Sequence, residues 1–362
     1  MYNTERWERL FGFLPRKPES EELKQEYMDM AYAIQQITED VVLKLVHTAV
    51  RETNCRKVCL SGGVALNCVA NGKIINSDQV DEIWVQPAAG DAGGALVAAY
   101  ALWHIALNHP RVVCGRDAMQ GTYLGPSFDN GMSRSVCKKH KAIYHEFKAD
   151  DELYEVVADL LAEGKVVGWF QGRMEYGPRA LGNRSILGDP RNPEMQKKLN
   201  LKIKYREGFR PFAPSVLSEY VDQCFDLNRP SPYMLLVAPV SELICNQLPD
   251  DYSQQDVWSR LYFVRSSLPA ITHVDYSARI QTIHRETNFR YWNLVETFRK
   301  KHGCPVLVNT SFNVRGEPLV CTPKDAYLCF MRTEMDCLVL GDLLLHKTEQ
   351  PKLNEKNDWC DE

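Results

Sequence analysis

The chain has 362 residues, 44% of them apolar and 25% charged, with 12 cysteines and a formal net charge of −4 at pH 7. That length exceeds one ordinary hydrophobic core, so two domains are expected. The mildly acidic balance argues against a whole-chain attraction to nucleic acid, and no stretch reaches the roughly 20 apolar residues of a membrane span, so the expectation is a cytoplasmic protein with neither partner.

In chain order, Met1 to Lys24 is polar and proline-bearing and reads as an irregular lead-in without a signal-peptide profile. From Tyr27 to Arg51, apolar residues at Tyr27, Met30, Ala31, Ile34, Val41, Leu45 and Ala49 have the spacing of a helix with one buried face, ended by Asn54. Lys57–Leu60 reads as a short strand, followed by Ser61-Gly-Gly-Val-Ala-Leu-Asn67. Glu82–Gln86 is a second strand, and Pro87–Gly94 opens an apolar helix that runs to about Leu107. Strand, glycine turn and helix, twice over, describe an α/β domain with ligands at the strand ends. Asp91 is well placed to N-cap its helix. His104 and His109, five apart, do not share a helical face and read as helix-end residues. The cysteines are scattered without a C-x-x-C pair, so they read as reduced thiols; Cys55 and Cys59 read as structural.

Pro110 to Asp150 is a basic and polar connecting region with short extended pieces. A domain boundary is expected near Lys148. Leu153, Val156, Val157, Leu160 and Leu161 then mark a helix that Gly164 ends, and Val166–Phe170 reads as a buried strand. The next stretch, Gln171 to Pro190, mixes glycines with Arg173, Glu175, Arg179 and Arg184. A fold has no need of that mixture, whereas glycines admit a ligand to the backbone and guanidiniums bind phosphate or carboxylate in pairs of hydrogen bonds. A helix over Pro193–Ile203 delivers Lys204-Tyr-Arg-Glu-Gly-Phe-Arg-Pro-Phe-Ala-Pro214, which repeats the chemistry. Thr272–Gln281 carries His273, Asp275, Arg279 and Gln281, and a strand over Pro305–Val308 leads into Asn309-Thr-Ser-Phe-Asn-Val-Arg-Gly-Glu-Pro318. Asp336–Leu345 closes the domain as an apolar strand, before a charged tail from Thr348 to Glu362. Taken singly these residues also have plain structural readings: Arg210 can lay its stem along Phe209 and Phe212, and Asn-Thr-Ser is an ordinary turn.

Glu175–Ser185, Phe209–Pro214 and Asn309–Pro318 closely resemble the O-carbamoyltransferases of nodulation-factor and antibiotic biosynthesis, and the resemblance runs from about Trp7 to His346. It implies an α/β protein in five segments. Residues 1–24 are the lead-in, 25–110 the C-terminal part of an actin/sugar-kinase-like (ASKHA-like) carbamoyl-transfer domain, 111–148 the connection, 149–347 a YrdC-like domain that forms carbamoyl adenylate, and 348–362 the tail. By the same resemblance Gly62, Gly63 and Asn67 lie against an adenylate. Asp91 becomes a metal ligand, which leaves two readings of that residue open. Lys204 and Arg206 with Ser311 and Asn313 look like the signature of the YrdC-like fold. Lys204, Arg206, Arg179 and Arg210 would supply the charge that steadies departing pyrophosphate, and Ser311 and Asn313 the hydrogen bonds. Glu175, Arg184, Ser185, Arg279, Asn309 and Thr310 are further nucleotide or substrate contacts. His273, Asp275 and Gln281 belong to the same cleft, with no base role given to His273.

The reaction so implied joins carbamoyl phosphate and ATP, the latter with Mg2+, into carbamoyl adenylate and passes the carbamoyl group to a hydroxyl of a small-molecule acceptor beside a divalent metal, Fe2+ being the first expectation. The sequence departs from the family in lacking its N-terminal half, with the paired histidines that complete the metal site, and in placing Val97 where a small residue is usual. A fragment, a split gene product or a degenerate copy fits that departure, with a second polypeptide supplying the missing half and a homodimer as a further possibility. Two other functions stay open: threonylcarbamoyl-type transfer in tRNA modification, and a non-catalytic subunit.

Overall fold

Apolar runs bounded by glycine, proline or polar turns become strands, and the 3.6-residue stripes become helices, in most places where the sequence marks them. The computed structural model describes residues 4–17, 21–113, 115 and 117–353. Its elements begin with α1 (Thr4–Phe11), α2 (Gln25–Thr53), β1 (Lys57–Leu60), α3 (Cys68–Ile75), β2 (Glu82–Val85), α4 (Ala92–Ala101) and α5 (Asn130–His140). There follow β3 (His145–Glu146), α6 (Asp150–Ala162), β4 (Val167–Phe170), β5 (Arg184–Gly188), α7 (Met195–Lys202), β6 (Ala213–Leu217), α8 (Val221–Cys224), β7 (Leu236–Pro239) and α9 (Val257–Tyr262). The last are β8 (Ser277–Ile283), α10 (Phe289–His302), β9 (Val306–Ser311), α11 (Pro323–Arg332), β10 (Cys337–Leu340) and β11 (Leu343–His346). The protein is α/β, with a small sheet of β1 and β2 and a mixed sheet of nine strands. No helix among the described residues is long and apolar enough to cross a membrane.

The chain divides into two compact units, one of Met1–Val58 with Gly72–Trp84 and one of Cys59–Asn71 with Val85–Glu362. In the first, a helix stands where an irregular lead-in was expected. Trp7 and Phe11, four residues apart, bring their rings to 4.7 Å, and Glu5 and Arg9 sit at the ends that the helix dipole favours. The helix α2 ends as expected at Asn54, whose left-handed φ of 53° stops it. Its expected buried face is wrong. Glu39 and Val46 are the buried residues, while Tyr32, Ile34, Ile37, Val41 and Leu45 are 49–68% exposed. The cause is an acid: Glu39 accepts hydrogen bonds from Gln35 and Gln36 and pairs with Lys73 of α3, and a carboxylate so satisfied turns inward with its side of the helix.

In the second unit α4 runs on through a π-helical turn, Leu102–Ala106, in which His104 Nδ1 donates to the carbonyl of His109 (2.9 Å), as helix-end residues do. Val97, Tyr100, Leu102, Trp103, Ile105 and Leu107 are exposed there. The connecting region is more ordered than its composition suggests. Asp129 accepts the backbone N–H of Met132 and so caps α5, which packs on α11 and β11. The single closing strand expected over Asp336–Leu345 is a hairpin, β10 and β11, because Gly341 takes a φ of +62° and turns the chain at Asp342.

The nine strands follow the order β3-β11-β10-β4-β5-β9-β6-β8-β7. All four residues of β4 are buried, which is why it reads as an unbroken apolar run. The helix α6 buries Leu153, Val157 and Leu161 and packs on α10, which buries Tyr291, Leu294, Val295 and Phe298. One consequence of the pairing matters most. The strands β5 and β6 both run antiparallel to β9, with Ser185 opposite Ser311 and Ala213 opposite Asn309, and β8 runs parallel to β6. The loops that enter β5, β6 and β8 therefore open at the edge where β9 ends.

The loop into β5 depends on Gly182, whose φ of +111° and close approach to the Tyr291 ring leave no room for a Cβ. Gly316 also has a positive φ, +83°, but nothing stands within 4 Å of the Cβ it lacks. We predict that Gly182→Ala lowers the unfolding free energy by about 3 kcal/mol or more and Gly316→Ala by about 1 kcal/mol, read as shifts in the urea midpoint. Equal losses would show that overlap with Tyr291 is not what fixes this loop.

Candidate functional site

At that edge lies a cavity of about 400 Å³ into which Arg179, Arg206, Arg210 and Arg279 all reach, without a carboxylate among its lining residues. Arg179 comes from the loop into β5, Arg206 and Arg210 from the loop into β6, and Arg279 from β8. Each is held differently. Arg206 donates through Nε to Asn200 Oδ1 at 2.7 Å and lies over the Phe212 ring, and Arg210 pairs with Glu207 at 3.2 Å. Among the described residues, Arg179 reaches only the Leu66 carbonyl, at 3.5 Å, and the Nε atoms of Arg179 and Arg279 are buried without a partner. Burial, and then the neighbouring charge of Arg279, bring Arg179 down to about 10. Arg206 falls to about 10 through burial and then Arg210 and Arg279. These cations destabilise one another until an anion enters.

The end of β9 supplies Asn309, Thr310 and Ser311 to the same cavity. Lys204 does not line it. Its Nζ lies behind Ser311, donating to the Ser311 carbonyl, to Ser311 Oγ (3.2 Å), and to the carbonyl (2.8 Å) and Oδ1 (3.0 Å) of Asn313. Asn313 in turn accepts the Ser311 hydroxyl at 2.7 Å and donates to the Glu317 carbonyl, which closes the expected turn at Gly316. Burial pulls the Lys204 ammonium down to about 7. Lys204 and Asn313 thus position Ser311, and Arg315 is exposed.

Three more expected contacts turn out to frame the loop rather than face the cavity. Glu175 Oε1 accepts the backbone N–H groups of Leu181 (2.7 Å), Asn183 (2.9 Å) and Arg184 (3.3 Å). Arg184 is fully buried, with its guanidinium caged by the carbonyls of Gln171, Gly172, Asn183 and Pro126 and stacked 3.7 Å from the Phe170 ring. Ser185 Oγ accepts the N–H of Gly182 at 3.0 Å. The reason is general, since a buried charge must find protein partners where water cannot reach it. Arg173 clasps the carbonyls of Leu124 and Gly125 from the surface.

Of the Thr272–Gln281 segment, Arg279 and His273 line the cavity, Gln281 lies buried behind it, and Asp275 accepts the Ser277 hydroxyl at 2.7 Å in a turn. With its one proton given to Asp275, the Ser277 hydroxyl can only accept from His273 Nδ1 (3.4 Å), so Nε2 carries the lone pair. Burial pulls this imidazole down to about 4, opposed by Asp275 and aided by Arg279. The apolar wall, Cys68, Val69, Phe212, Met234 and Val237, escaped the sequence reading because such residues look like any core position.

Gly62 (φ +97°) and Gly63 face open space, and Asn67 Oδ1 accepts the Ala70 N–H and caps α3; none of the three lines the arginine cavity. Asp91 does not cap its helix as expected. It is exposed, has helical φ and ψ, and makes no side-chain capping bond. Among the described residues no group of three or more His, Cys, Asp or Glu side chains converges to hold a metal, and the paired histidines expected to complete a site at Asp91 belong to the part of the family that this sequence lacks.

Residues 158–347 match the family model described as Carbamoyltransferase C-terminus and residues 5–100 the one described as Carbamoyltransferase N-terminus. An uncharacterised protein of Synechocystis is 56% identical over 98% of this chain and 57% of its own length. Nodulation protein NolO of Bradyrhizobium diazoefficiens is 38% identical over 89% of this chain and 55% of its own length, and nodulation protein NolNO of Sinorhizobium fredii 39% identical over 92% and 46%. The chain spans about half the length of these relatives.

The neutral His273 makes stability depend on acid. Between pH 6.5 and about 4 the unfolded chain binds a proton there that the folded chain refuses, so this contribution is intact above pH 6.5 and is lost as pH falls through that window. Between pH 7.5 and pH 5, the protein should lose about 2 kcal/mol more unfolding free energy than His273→Gln, measured by urea titration. Parallel losses would place the imidazole in water.

Proposed function

This chain belongs to the carbamoyltransferase family, and from that premise we propose that its arginine cavity activates a carbamoyl group on ATP. The observation that carries the reading is the convergence of four guanidiniums on one cavity that no carboxylate lines. Water takes the phosphoryl group of carbamoyl phosphate by breaking its bridging P–O bond, which leaves carbamate and phosphate. A carbamate oxygen then attacks the α-phosphorus of ATP, brought with its Mg2+, and the bond to the β-phosphate oxygen breaks to give carbamoyl adenylate and pyrophosphate. Negative charge collects on the departing oxygens, where Arg179, Arg206, Arg210 and Arg279 donate. Lys204 and Asn313 hold Ser311 at the cavity wall. The carbamoyl carbon is a poor electrophile until its oxygen carries such a leaving group, which is the reason to spend ATP.

On this reading residues 149–347 act as a YrdC-like adenylate-forming domain and residues 25–110 as part of an ASKHA-like domain, in which an acceptor hydroxyl attacks the carbamoyl carbon, AMP leaves, and the hydroxyl proton passes to solvent. The second half-reaction requires a polypeptide equivalent to the part of the relatives that this chain does not span. The exposed apolar residues of α2, and separately those of α4 and the turn after it, support that requirement, since such stripes are ordinarily covered.

Incubated with ATP and carbamoyl phosphate, the protein should release pyrophosphate, and omitting carbamoyl phosphate should stop it. Arg179→Ala and Arg279→Ala should each lower that rate by about 100-fold. No release, or release untouched by either substitution, would refute the reading.

A further inference from the structure

Among the side chains lining the arginine cavity, three have a buried polar atom without a partner: Nε of Arg179, Nε of Arg279, and Oδ1 of Asn309. The first two donate and the third can only accept. An anion satisfies the arginines, but set against Asn309 Oδ1 it leaves that oxygen stranded and repelled. The cavity is therefore complementary to a ligand that is anionic at one end and presents an N–H or O–H donor close by.

The orientation of the Asn309 amide is not in question. Its Nδ2 donates to the Ala180 carbonyl (3.3 Å), to Ser215 Oγ (3.0 Å) and to Gln281 Oε1 (2.9 Å). Gln281 is pinned the same way, its Nε2 donating to the Leu181 carbonyl (2.8 Å) while its Oε1 accepts from Ser215. Backbone carbonyls cannot donate, so neither amide can be turned over without setting oxygen against oxygen. Asn309 is 1% exposed, which makes the unused Oδ1 costly unless a ligand meets it.

The same bonds place the Asn309 side chain beside the two backbone segments that carry the donors. Ala180 follows Arg179 directly, and Gln281 is two residues beyond Arg279 on β8, on the same face of that strand. A ligand that meets all three atoms is compact, its donor only a few bonds from its oxyanion. The amino group of ATP does not suit, because ribose separates it from the phosphates, and the ribose hydroxyls are the competing donors. Carbamoyl phosphate, carbamate and carbamoyl adenylate each have an –NH2 on the carbon that bears the charged group.

We propose that Asn309 determines specificity, its Oδ1 accepting a hydrogen bond from the ligand's –NH2, so that the cavity selects a carbamoyl group over an acyl group of the same size that ends in methyl. The identity of the ligand rests on the function proposed above. The need for a donor opposite Asn309 does not. Sites built to hydrogen-bond a substrate N–H reject the analogue that lacks it far more strongly than apolar pockets reject a missing methylene.

The test compares carbamoyl phosphate with acetyl phosphate on the full chain, by calorimetric titration in the presence of an ATP analogue cleavage-resistant at the α–β bridge and by pyrophosphate release with ATP or ITP. The protein should prefer carbamoyl phosphate by at least about 100-fold, and Asn309→Leu should shrink that preference to tenfold or less. Equal binding of the two phosphates to the unsubstituted protein overturns the proposal, and that comparison decides alone if Asn309→Leu does not fold. If Asn309→Leu weakens ATP but not ITP and keeps the preference, the adenine amine is the partner of Asn309 and the proposal is wrong. Strong preference in binding without any pyrophosphate release would refute the proposed reaction and leave the role of Asn309 standing.

Discussion

Four guanidinium groups share one cavity that no acidic side chain lines, and among the described residues Arg210 alone of the four is paired with a carboxylate, that of Glu207. Buried or half-buried cations repel one another across a medium less polar than water, so such an arrangement costs stability in the empty protein. Arg179 and Arg279 bear that cost most plainly, each with an Nε–H that meets neither protein nor solvent. A fold keeps such a feature where a ligand relieves it, and the strain becomes binding free energy when an anion arrives.

Holding the cations together takes a second set of buried polar groups. Glu175 gathers three N–H groups of the loop that carries Arg179, and Arg184 crosses behind it into a cage of carbonyls. Lys204 ties the end of β9 from behind, and Asn309, Ser215 and Gln281 lock β9, β6 and β8 to one another. Removing any one strands the partners it now satisfies. The rigidity of the site thus comes from polar groups behind the cavity, Asn309 alone among them also lining it, laid across a sheet whose strand directions bring every relevant loop to one edge.

Much of this was legible in the sequence. The strand, glycine turn and helix patterns marked most elements, and the cluster of arginines between Arg173 and Arg210 marked the site. The division of labour within the cluster was not legible. Glu175, Arg184, Ser185 and Lys204 belong to the same motifs as Arg179 and Arg210, and spacing cannot separate a residue that faces a ligand from one that braces it; the carbonyls around Arg184 come from backbone that no side-chain pattern reports. The face of α2 was misread for a related reason. Helical spacing identifies an apolar stripe, but Glu39, once paired with Lys73, turned a different side inward. The hairpin of β10 and β11 was hidden in one apolar run by a turn of only Gly341 and Asp342.

The central claim is that the unpaired Nε–H groups of Arg179 and Arg279 await an oxyanion in a single shared cavity. The most direct measurement follows the arginine Nε–H resonances by NMR while carbamoyl phosphate is added. The account predicts that the signals of Arg179 and Arg279 shift together and saturate at one ligand per chain. Signals that stay put while an exposed arginine such as Arg315 responds would contradict it.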